Sequence, residues 1–213
     1  MTHAGRLNAI YVYPVKSLAA QPLESVRIET DGLPGDRARA LFVSSGHARE
    51  GKTYRGKENN LLHLETDAGR AAERARERGV CVTIENDPQN HFFDAMPVSL
   101  IFDRWIDEVS NALGMPLDPR RWRPNLVANA DAGFTASEED LPGAVFEIGE
   151  AVLRVAEPIR RCVTTTYDIA TGEPNPDVLR YVAQERGNRM GVYCVVERAG
   201  TVRAGDDLRL RAR

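Results

Sequence analysis

Cysteine is scarce in this chain of 213 residues, and its few cysteines lack the pattern of a disulfide framework or a structural zinc site. Cys81, Cys162 and Cys194 are odd in number and contain no CxxC pair. Long apolar runs are also absent. The first residues lack the apolar segment of a secretory signal, and no stretch approaches the roughly 20 apolar residues that cross a bilayer. We therefore expect a cytoplasmic protein with no membrane span.

A large excess of charge of one sign is missing as well. The formal net charge is −3, with 28% charged and 42% hydrophobic residues, which is the balance of an ordinary globular protein. No global positive field draws the chain to nucleic acid or to an anionic membrane, so we expect neither as a partner. The length allows one substantial hydrophobic core, or two small ones.

Short β-prone runs recur along the chain and outnumber the helical segments. Nine strands are predicted, at 7–13, 25–30, 40–44, 80–85, 125–129, 145–148, 151–156, 191–197 and 207–211. Three helices are predicted: 98–113 ending before Gly114, one capped by Thr66 or Asp67 and ending at Gly79, and 177–186. Because the strands do not alternate regularly with the helices, we predict an α/β, β-rich fold: a curved, mostly antiparallel β-barrel with a few peripheral helices.

Cys162 differs from the other two cysteines in its neighbours. It follows two arginines and precedes a polar run of three threonines, whereas Cys81 and Cys194 lie in apolar runs and are predicted to pack in a core. Adjacent guanidinium groups favour the thiolate, which is the form that attacks electrophiles and binds soft metals. The local sequence leaves two interpretations of Cys162 open, such a thiolate or an inert strand cysteine.

Several other segments carry cations or hydroxyl groups in positions suited to an anion. They are RRWRPN at 120–125, YPVKS at 13–17 and GLPGDR at 32–37. Arginine binds phosphate through a bidentate fork, but each segment alone also fits a solvated rim or an ordinary turn.

Residues 51–57 match the letters GxxxxGK, yet Glu58 replaces the Ser or Thr that would hold magnesium. We reject a nucleotide-binding loop there and interpret the segment as a basic loop able to hold an anionic ligand or substrate.

The order of these segments resembles the MOSC family, named for the C-terminal domain of molybdenum cofactor sulfurase. Its relatives include the mitochondrial amidoxime-reducing component, which reduces N-hydroxylated compounds. The similar segments are 13–17, 32–37, 121–127, 134–143, RCVTTTYDIATGE at 161–173 and the closing strands at 191–210. Since they cover nearly the whole chain in the right order, we take residues 1–213 as a single unit, with an N-terminal barrel portion at about 1–95 and a MOSC core at about 96–213.

The resemblance implies a molybdenum cofactor, molybdopterin, bound in a cleft of the barrel. It implies that Cys162 is the catalytic residue and the metal ligand, supplying a thiolate to molybdenum. The implied cofactor-binding residues are Lys16, Ser17 and Arg37 at the phosphate end, and Arg123 and Asn125 at the pterin. A soft sulfur ligand for the metal, and guanidinium, ammonium and hydroxyl donors for a phosphate, agree with this assignment.

Three functions use the same residues. The leading hypothesis is an oxidoreductase that reduces an N-oxygenated small molecule, with electrons from a separate donor protein because the chain has no cysteine cluster for an iron–sulfur centre. The second is a sulfur carrier with a persulfide on Cys162, which requires a sulfur donor protein. The third is a non-enzymatic carrier of the molybdenum cofactor.

Overall fold

The computed structural model describes residues 1–87 and 91–211, which form twelve strands and three α-helices. The strands are β1 (Thr2–Val12), β2 (Gln21–Leu23), β3 (Ser25–Ile28), β4 (Arg39–Gly46), β5 (Val80–Asn86), β6 (Val98–Phe102), β7 (Leu126–Ala130), β8 (Val145–Ile148), β9 (Ala151–Arg160), β10 (Arg189–Arg198), β11 (Gly200–Arg203) and β12 (Asp207–Leu210). The helices are α1 (Ala68–Glu77), α2 (Asp103–Leu113) and α3 (Pro176–Glu185).

Seven of these strands close into a barrel. The sheet runs β12-β8-β9-β10-β6-β7-β1, and a further pairing of β12 with β1 completes the ring. Neighbours in the ring are antiparallel, except that β6 and β7 are parallel and are connected through α2. Strand β2 extends the sheet beside β1, and β3 pairs with β11. The prediction of a β-rich, mostly antiparallel barrel with peripheral helices is confirmed.

A second, smaller hydrophobic core lies between α1 and the antiparallel pair β4–β5. Ala68, Ala71 and Ala75 are its helix residues, and their three- and four-residue spacing puts small side chains on one face of α1. Val15 and Leu18, which follow β1, are buried in this core, whereas the residues of β1 itself are buried in the barrel. The segment just after β1 therefore lies where the two cores meet.

The helix predicted over 98–113 was wrong in its first five residues, because 98–102 form β6. All five residues of β6 are buried, as expected of a strand covered on both faces, and a short apolar run of this kind cannot be assigned by periodicity alone.

Other predicted helix boundaries are confirmed: Asp67 caps α1 by accepting from the Arg70 N–H at 3.0 Å, and Gly114 ends α2 in the left-handed conformation. In the described part of the chain, none of the helices is long and apolar enough to cross a membrane.

The two cysteines predicted to pack in a core have different environments. Cys194 on β10 is fully buried, as predicted. The prediction for Cys81 was wrong, since its side chain is exposed. It lies on β5, where the preceding Val80 faces the second core, so the alternation of a strand turns Cys81 outward.

Glu138 is a buried carboxylate that joins α3 to β10. Its two oxygens accept from Arg186 Nη2 at 2.7 and 2.5 Å, and Oε1 also accepts from the Gly191 N–H at 3.1 Å. The next residue back, Met190, offers its carbonyl to Arg161 Nε at 2.8 Å. The buried ion pair thus supports the strand segment that holds Arg161 beside Cys162.

We predict that Glu138→Ala lowers the free energy of unfolding by about 2–3 kcal/mol, because the buried Arg186 guanidinium loses two charge-assisted hydrogen bonds and keeps only the half-exposed Glu108 carboxylate as a partner. The matched control is Glu139→Ala, which removes the exposed carboxylate that pairs with Arg189 at 2.8 Å and is expected to cost less than about 1 kcal/mol. Urea denaturation of both variants measures the difference. Equal losses in the two variants would contradict the structural role of Glu138.

Candidate functional site

A cavity of about 380 Å³ brings together residues that are distant in the sequence. Five of the six predicted site residues line it, namely Lys16, Ser17, Arg37, Arg123 and Cys162. Nine lining residues are cationic: Lys16, Arg37, Arg55, Lys57, Arg120, Arg121, Arg123, Arg160 and Arg161. Asp94 is the one carboxylate among the lining residues. The cavity is therefore strongly positive although the chain as a whole is slightly negative.

Cys162 lies at the point where β9 ends and a short 3₁₀ turn, Val163–Thr166, begins. Its carbonyl accepts from the Thr165 N–H at 3.0 Å and from the Thr165 hydroxyl at 2.9 Å, which fixes the backbone. Its sulfur is exposed and lies 3.1 Å from Thr164 Oγ1. The thiol is thus held in place by its backbone while its sulfur remains accessible.

Two buried arginines connect the Cys162 turn to the RRWRPN segment. Arg121 donates through Nη1 to the Thr166 carbonyl at 2.7 Å and through Nη2 to the Asp168 carboxylate at 3.3 Å. Arg161 donates through Nη1 to the Trp122 carbonyl at 2.9 Å. Burial lowers the pKa of Arg161 to about 10, against the opposing influence of nearby groups that include the Cys162 thiol. These contacts place the thiol and the arginine turn in one wall of the cavity.

A second group of cations, Arg37 and Arg123, packs against the ring of Tyr13. The guanidinium carbons of Arg37 and Arg123 lie 4.7 and 4.2 Å from the centre of its buried ring. The fully buried Asp36 pairs with Arg37 and accepts from the Tyr13 N–H at 2.7 Å. Arg123 donates to the Leu18 carbonyl at 2.8 Å, and burial lowers its pKa to about 10, with repulsion from Arg37 acting in the same direction. Two like charges are therefore kept close together in a largely desolvated position.

Three cavity residues have a backbone conformation that L-residues rarely adopt. Ser17, Arg37 and Arg123 have φ angles of 72°, 51° and 53°, in the left-handed region. In the described ranges, the non-glycine residues with positive φ are these three together with His91 and Asn188. Such strained residues persist where the surrounding structure enforces them, and they concentrate at ligand-binding sites. Their clustering around one cavity supports a binding role for it.

Lys16 is paired across the cavity mouth with Asp94. The distance from its Nζ to Asp94 Oδ1 is 2.6 Å, and the Asp94 side chain is 74% exposed. Partial desolvation at the cavity mouth opposes ionisation of Asp94, but the charges of Lys16, Arg37 and Arg123 more than compensate, so the pKa of Asp94 is lowered. The carboxylate of Asp94 thus lies in the electric field of the same three cations that are predicted to hold the cofactor.

Several buried donors of the lining have no acceptor within the described ranges. They are Arg55 Nε, Arg121 Nε, Trp122 Nε1 and Arg123 Nη2. Arg123 and Arg161 also lack a carboxylate within 4.0 Å in that part of the chain, although burial lowers the pKa of both guanidinium groups. Unpaired buried donors carry a free-energy cost of about 1–3 kcal/mol each, which an acceptor-rich ligand would remove. The residues present therefore fit an anionic ligand.

One wall of the cavity comes from the segment around residues 55–63, which overlaps the basic loop predicted to hold an anionic ligand or substrate. His63 lines the cavity, its Nε2 lies 2.8 Å from the Asp168 carbonyl, and its ring stacks on that of Tyr167. Because a carbonyl can only accept, Nε2 carries the hydrogen. Burial, reinforced by Arg123 and Arg121, lowers the pKa of His63, so the imidazole is neutral at neutral pH. Contacts between segments so far apart leave no periodic signal in the sequence.

Asn125 is the predicted site residue that does not line the cavity. Its Oδ1 accepts from the Ser99 N–H at 3.1 Å and from the Ser99 hydroxyl at 2.9 Å, and its Nδ2 donates to the Tyr11 carbonyl at 3.2 Å. The side chain thus links three neighbouring strand ends. Its neighbour Ser99, rather than Asn125, reaches the cavity lining.

Two solved structures, the first two below, have the same fold as this chain. The YuaD protein from Bacillus subtilis matches with a TM-score of 0.59 and 16% sequence identity, over 99% of this chain and 97% of that chain. A hypothetical protein of known crystal structure matches with a TM-score of 0.50 and 15% identity, over 99% and 68% of the two chains. YiiM from Escherichia coli gives a TM-score of 0.48 and 14% identity, over 98% and 70%. At these identities the likeness concerns the fold alone.

No functionally curated protein matches the chain at a significant level of sequence similarity. The family model described as the MOSC domain matches residues 87–209, which is more than half of the chain and includes Cys162, Arg121 and Arg123. On this match, and with a barrel whose cavity holds the thiol among cations, the chain belongs to the MOSC domain family.

Proposed function

We propose that this protein binds the molybdenum cofactor in its cationic cavity, with Cys162 as the thiolate ligand of the metal, and reduces an N-oxygenated small molecule. The MOSC family is associated with molybdenum cofactor binding. The observation that carries the proposal is the exposed Cys162 sulfur in the same cavity as Lys16, Arg37 and Arg123.

The phosphate end of the cofactor fits the group around Tyr13. Lys16 and Arg37 carry the charge and Ser17 supplies a hydroxyl, while Arg123, predicted to hold the pterin, adds its positive charge from beside the same ring. A phosphate monoester carries roughly two negative charges, and guanidinium groups bind its oxygens through directed hydrogen bonds. Binding would relieve the repulsion between Arg37 and Arg123. The predicted pterin contact of Asn125 would require its present hydrogen bonds to rearrange, so in our proposal Asn125 acts by holding Ser99 in the lining.

The metal end fits Cys162. Among the described residues there is no group of three or more His, Cys, Asp or Glu side chains able to hold a metal ion, so the other ligands of the metal would come from the cofactor itself. When bound, the cofactor supplies two-electron redox chemistry at molybdenum, which prefers soft sulfur ligands. The chain orients the cofactor through Cys162 and Arg123 and encloses the reacting group between the Cys162 turn and the 55–63 wall.

Reduction of a hydroxylamine or amidoxime cleaves its N–O bond, consumes two electrons and two protons, and releases water. We propose that a separate electron-transfer protein supplies the electrons and that solvent supplies the protons through the open mouth of the cavity. A free thiol ligand requires a reducing compartment, and the proposal therefore includes a cytoplasmic location.

A second candidate function follows from the exposure of Cys162. Its thiolate could also attack the outer sulfur of a persulfide on a sulfur donor protein, which forms a persulfide on Cys162 and releases the donor's thiolate. A carrier that binds the cofactor without turnover would use the same cavity. The unpartnered donors that line the same cavity favour a resident cofactor over a transient sulfur load, because a persulfide on the exposed Cys162 would leave them without an acceptor.

We predict that Cys162→Ala abolishes stoichiometric molybdenum in protein produced in a host that makes the cofactor, since the variant lacks the metal's thiolate ligand. Cys81→Ala, which removes the other exposed thiol, is the matched control and is expected to keep its metal. Elemental analysis of the purified proteins measures the metal content. Sulfane sulfur on Cys162 in metal-free wild type would instead support the sulfur carrier. Metal without turnover of an amidoxime and a chemical reductant would support the cofactor carrier.

We predict that Asp94→Asn tightens binding of inorganic phosphate to the cofactor-free protein several-fold. Removing this carboxylate frees the Lys16 ammonium and takes away a competing anion, and the gain is limited by the exposure of Asp94. Asp107→Asn on α2 removes an exposed negative charge outside the cavity and serves as the control for net charge. Calorimetric titration at low and high salt measures both. Unchanged or weaker phosphate binding in Asp94→Asn would contradict the assignment of this anion subsite.

A further inference from the structure

We infer that the substrate of this site carries a carboxylate, which lies against the Lys57 ammonium and the Arg160 guanidinium while the N-oxygenated group faces Cys162. The inference rests on the proposed function and specifies its substrate class. It concerns a different set of cations from the Lys16, Arg37 and Arg123 group.

The loop that carries Lys57 packs directly on the Cys162 turn. A Cβ added at the buried Gly56 would lie 3.1 Å from Thr164 Cγ2, and the hydroxyl of Thr164 lies 3.1 Å from the Cys162 sulfur. A side chain at position 56 would therefore press on the turn that holds the thiol. Glycine allows the loop backbone to approach this closely, so the residues on either side of Gly56 flank the reacting position.

The wall is anchored at several points. Beyond Lys57, the Asn60 side chain donates to the Gly172 carbonyl at 2.9 Å, and His63 is bonded to the Asp168 carbonyl. Both acceptors lie in the segment that follows the Cys162 turn. The position of Lys57 relative to the sulfur is thus fixed by contacts on each side of it, and the wall is suited to select a substrate.

Charge compensation differs among the cations of this wall. The Arg55 guanidinium is 3.1 Å from the Glu58 carboxylate and is neutralised by it. Lys57 and Arg160 are exposed, and neither forms an ion pair within residues 1–87 and 91–211. Two uncompensated positive charges beside the thiol favour an anionic group on the molecule that binds there.

A carboxylate is the anion that this wall fits best. Its two oxygens match the fork of the Arg160 guanidinium, while the Lys57 ammonium acts as a point charge. Tyr167 and Ile169 also line the cavity and offer apolar surface to the organic part of the substrate. An N-hydroxylated or N-oxide compound with an aromatic or aliphatic acid group combines these features.

The test compares para-carboxybenzamidoxime with neutral benzamidoxime as substrates of the molybdenum-loaded protein with a chemical reductant. We expect kcat/KM to favour the carboxylate compound about tenfold at low salt, and the preference to shrink as salt screens the charges. Lys57→Ala and Arg160→Ala are each expected to reduce that preference about threefold. Lys52→Ala, in the same loop but outside the cavity lining, is the matched control and is expected to retain it.

A binding measurement keeps the inference separate from the proposed function. NMR titration of the loaded protein with benzoate and with benzamide, neither of which has an N–O bond, reports recognition of the carboxylate alone. Tighter benzoate binding that Lys57→Ala weakens supports the inference even if neither amidoxime is reduced, an outcome that would count against the oxidoreductase. Equal kcat/KM values for the two amidoximes, or equal binding of benzoate and benzamide, would overturn the inference that the substrate carries a carboxylate. Neither result would contradict the proposed reduction.

Discussion

Two guanidinium groups that share one buried aromatic ring impose the central constraint on this structure. Arg37 and Arg123 lie over Tyr13, and within the described ranges Asp36 is the only carboxylate buried with them. Like charges in a desolvated position repel strongly, and main-chain carbonyls and the face of the ring compensate only in part. This packing leaves Arg123 Nη2 without an acceptor among the described residues and concentrates positive charge at one end of the cavity, which favours an anionic ligand.

The cavity depends on the meeting of two cores. Strand β1 ends in the barrel core, and Val15 and Leu18 just beyond it are buried in the smaller core, so Lys16 and Ser17 are held between them. The family match covers residues 87–209, whereas Lys16, Arg37 and the 55–63 wall precede that region. The matched part supplies the thiol and the arginine turn, and the preceding part supplies much of the charge. In our proposal, substrate recognition therefore combines Lys57, which lies outside the family match, with Arg160, which lies inside it.

Cys162 would be accessible in either an oxidoreductase or a sulfur carrier, so its exposure alone does not distinguish these functions. In our proposal, the surroundings of the thiol favour a bound cofactor over sulfur transfer alone. Buried donors without acceptors, left-handed backbone at three lining residues and a wall fixed by the Asn60 and His63 contacts are features of a site prepared for a bound molecule. A cysteine that only passes sulfur between proteins does not need them.

The sequence by itself determined the β-rich class, the positions of α1 and α3, the family and the distinct character of Cys162, because these depend on local periodicity, capping residues and neighbours along the chain. Only the tertiary structure decided that 98–102 form a buried barrel strand and that Cys81 faces outward. It also showed that the Asn125 side chain is hydrogen-bonded to Ser99 and to the Tyr11 carbonyl. It alone also placed Gly56 against Thr164 and left Lys57 and Arg160 without carboxylate partners among the described residues. Burial and charge compensation depend on residues far apart in the sequence, and a linear pattern does not record which of them meet.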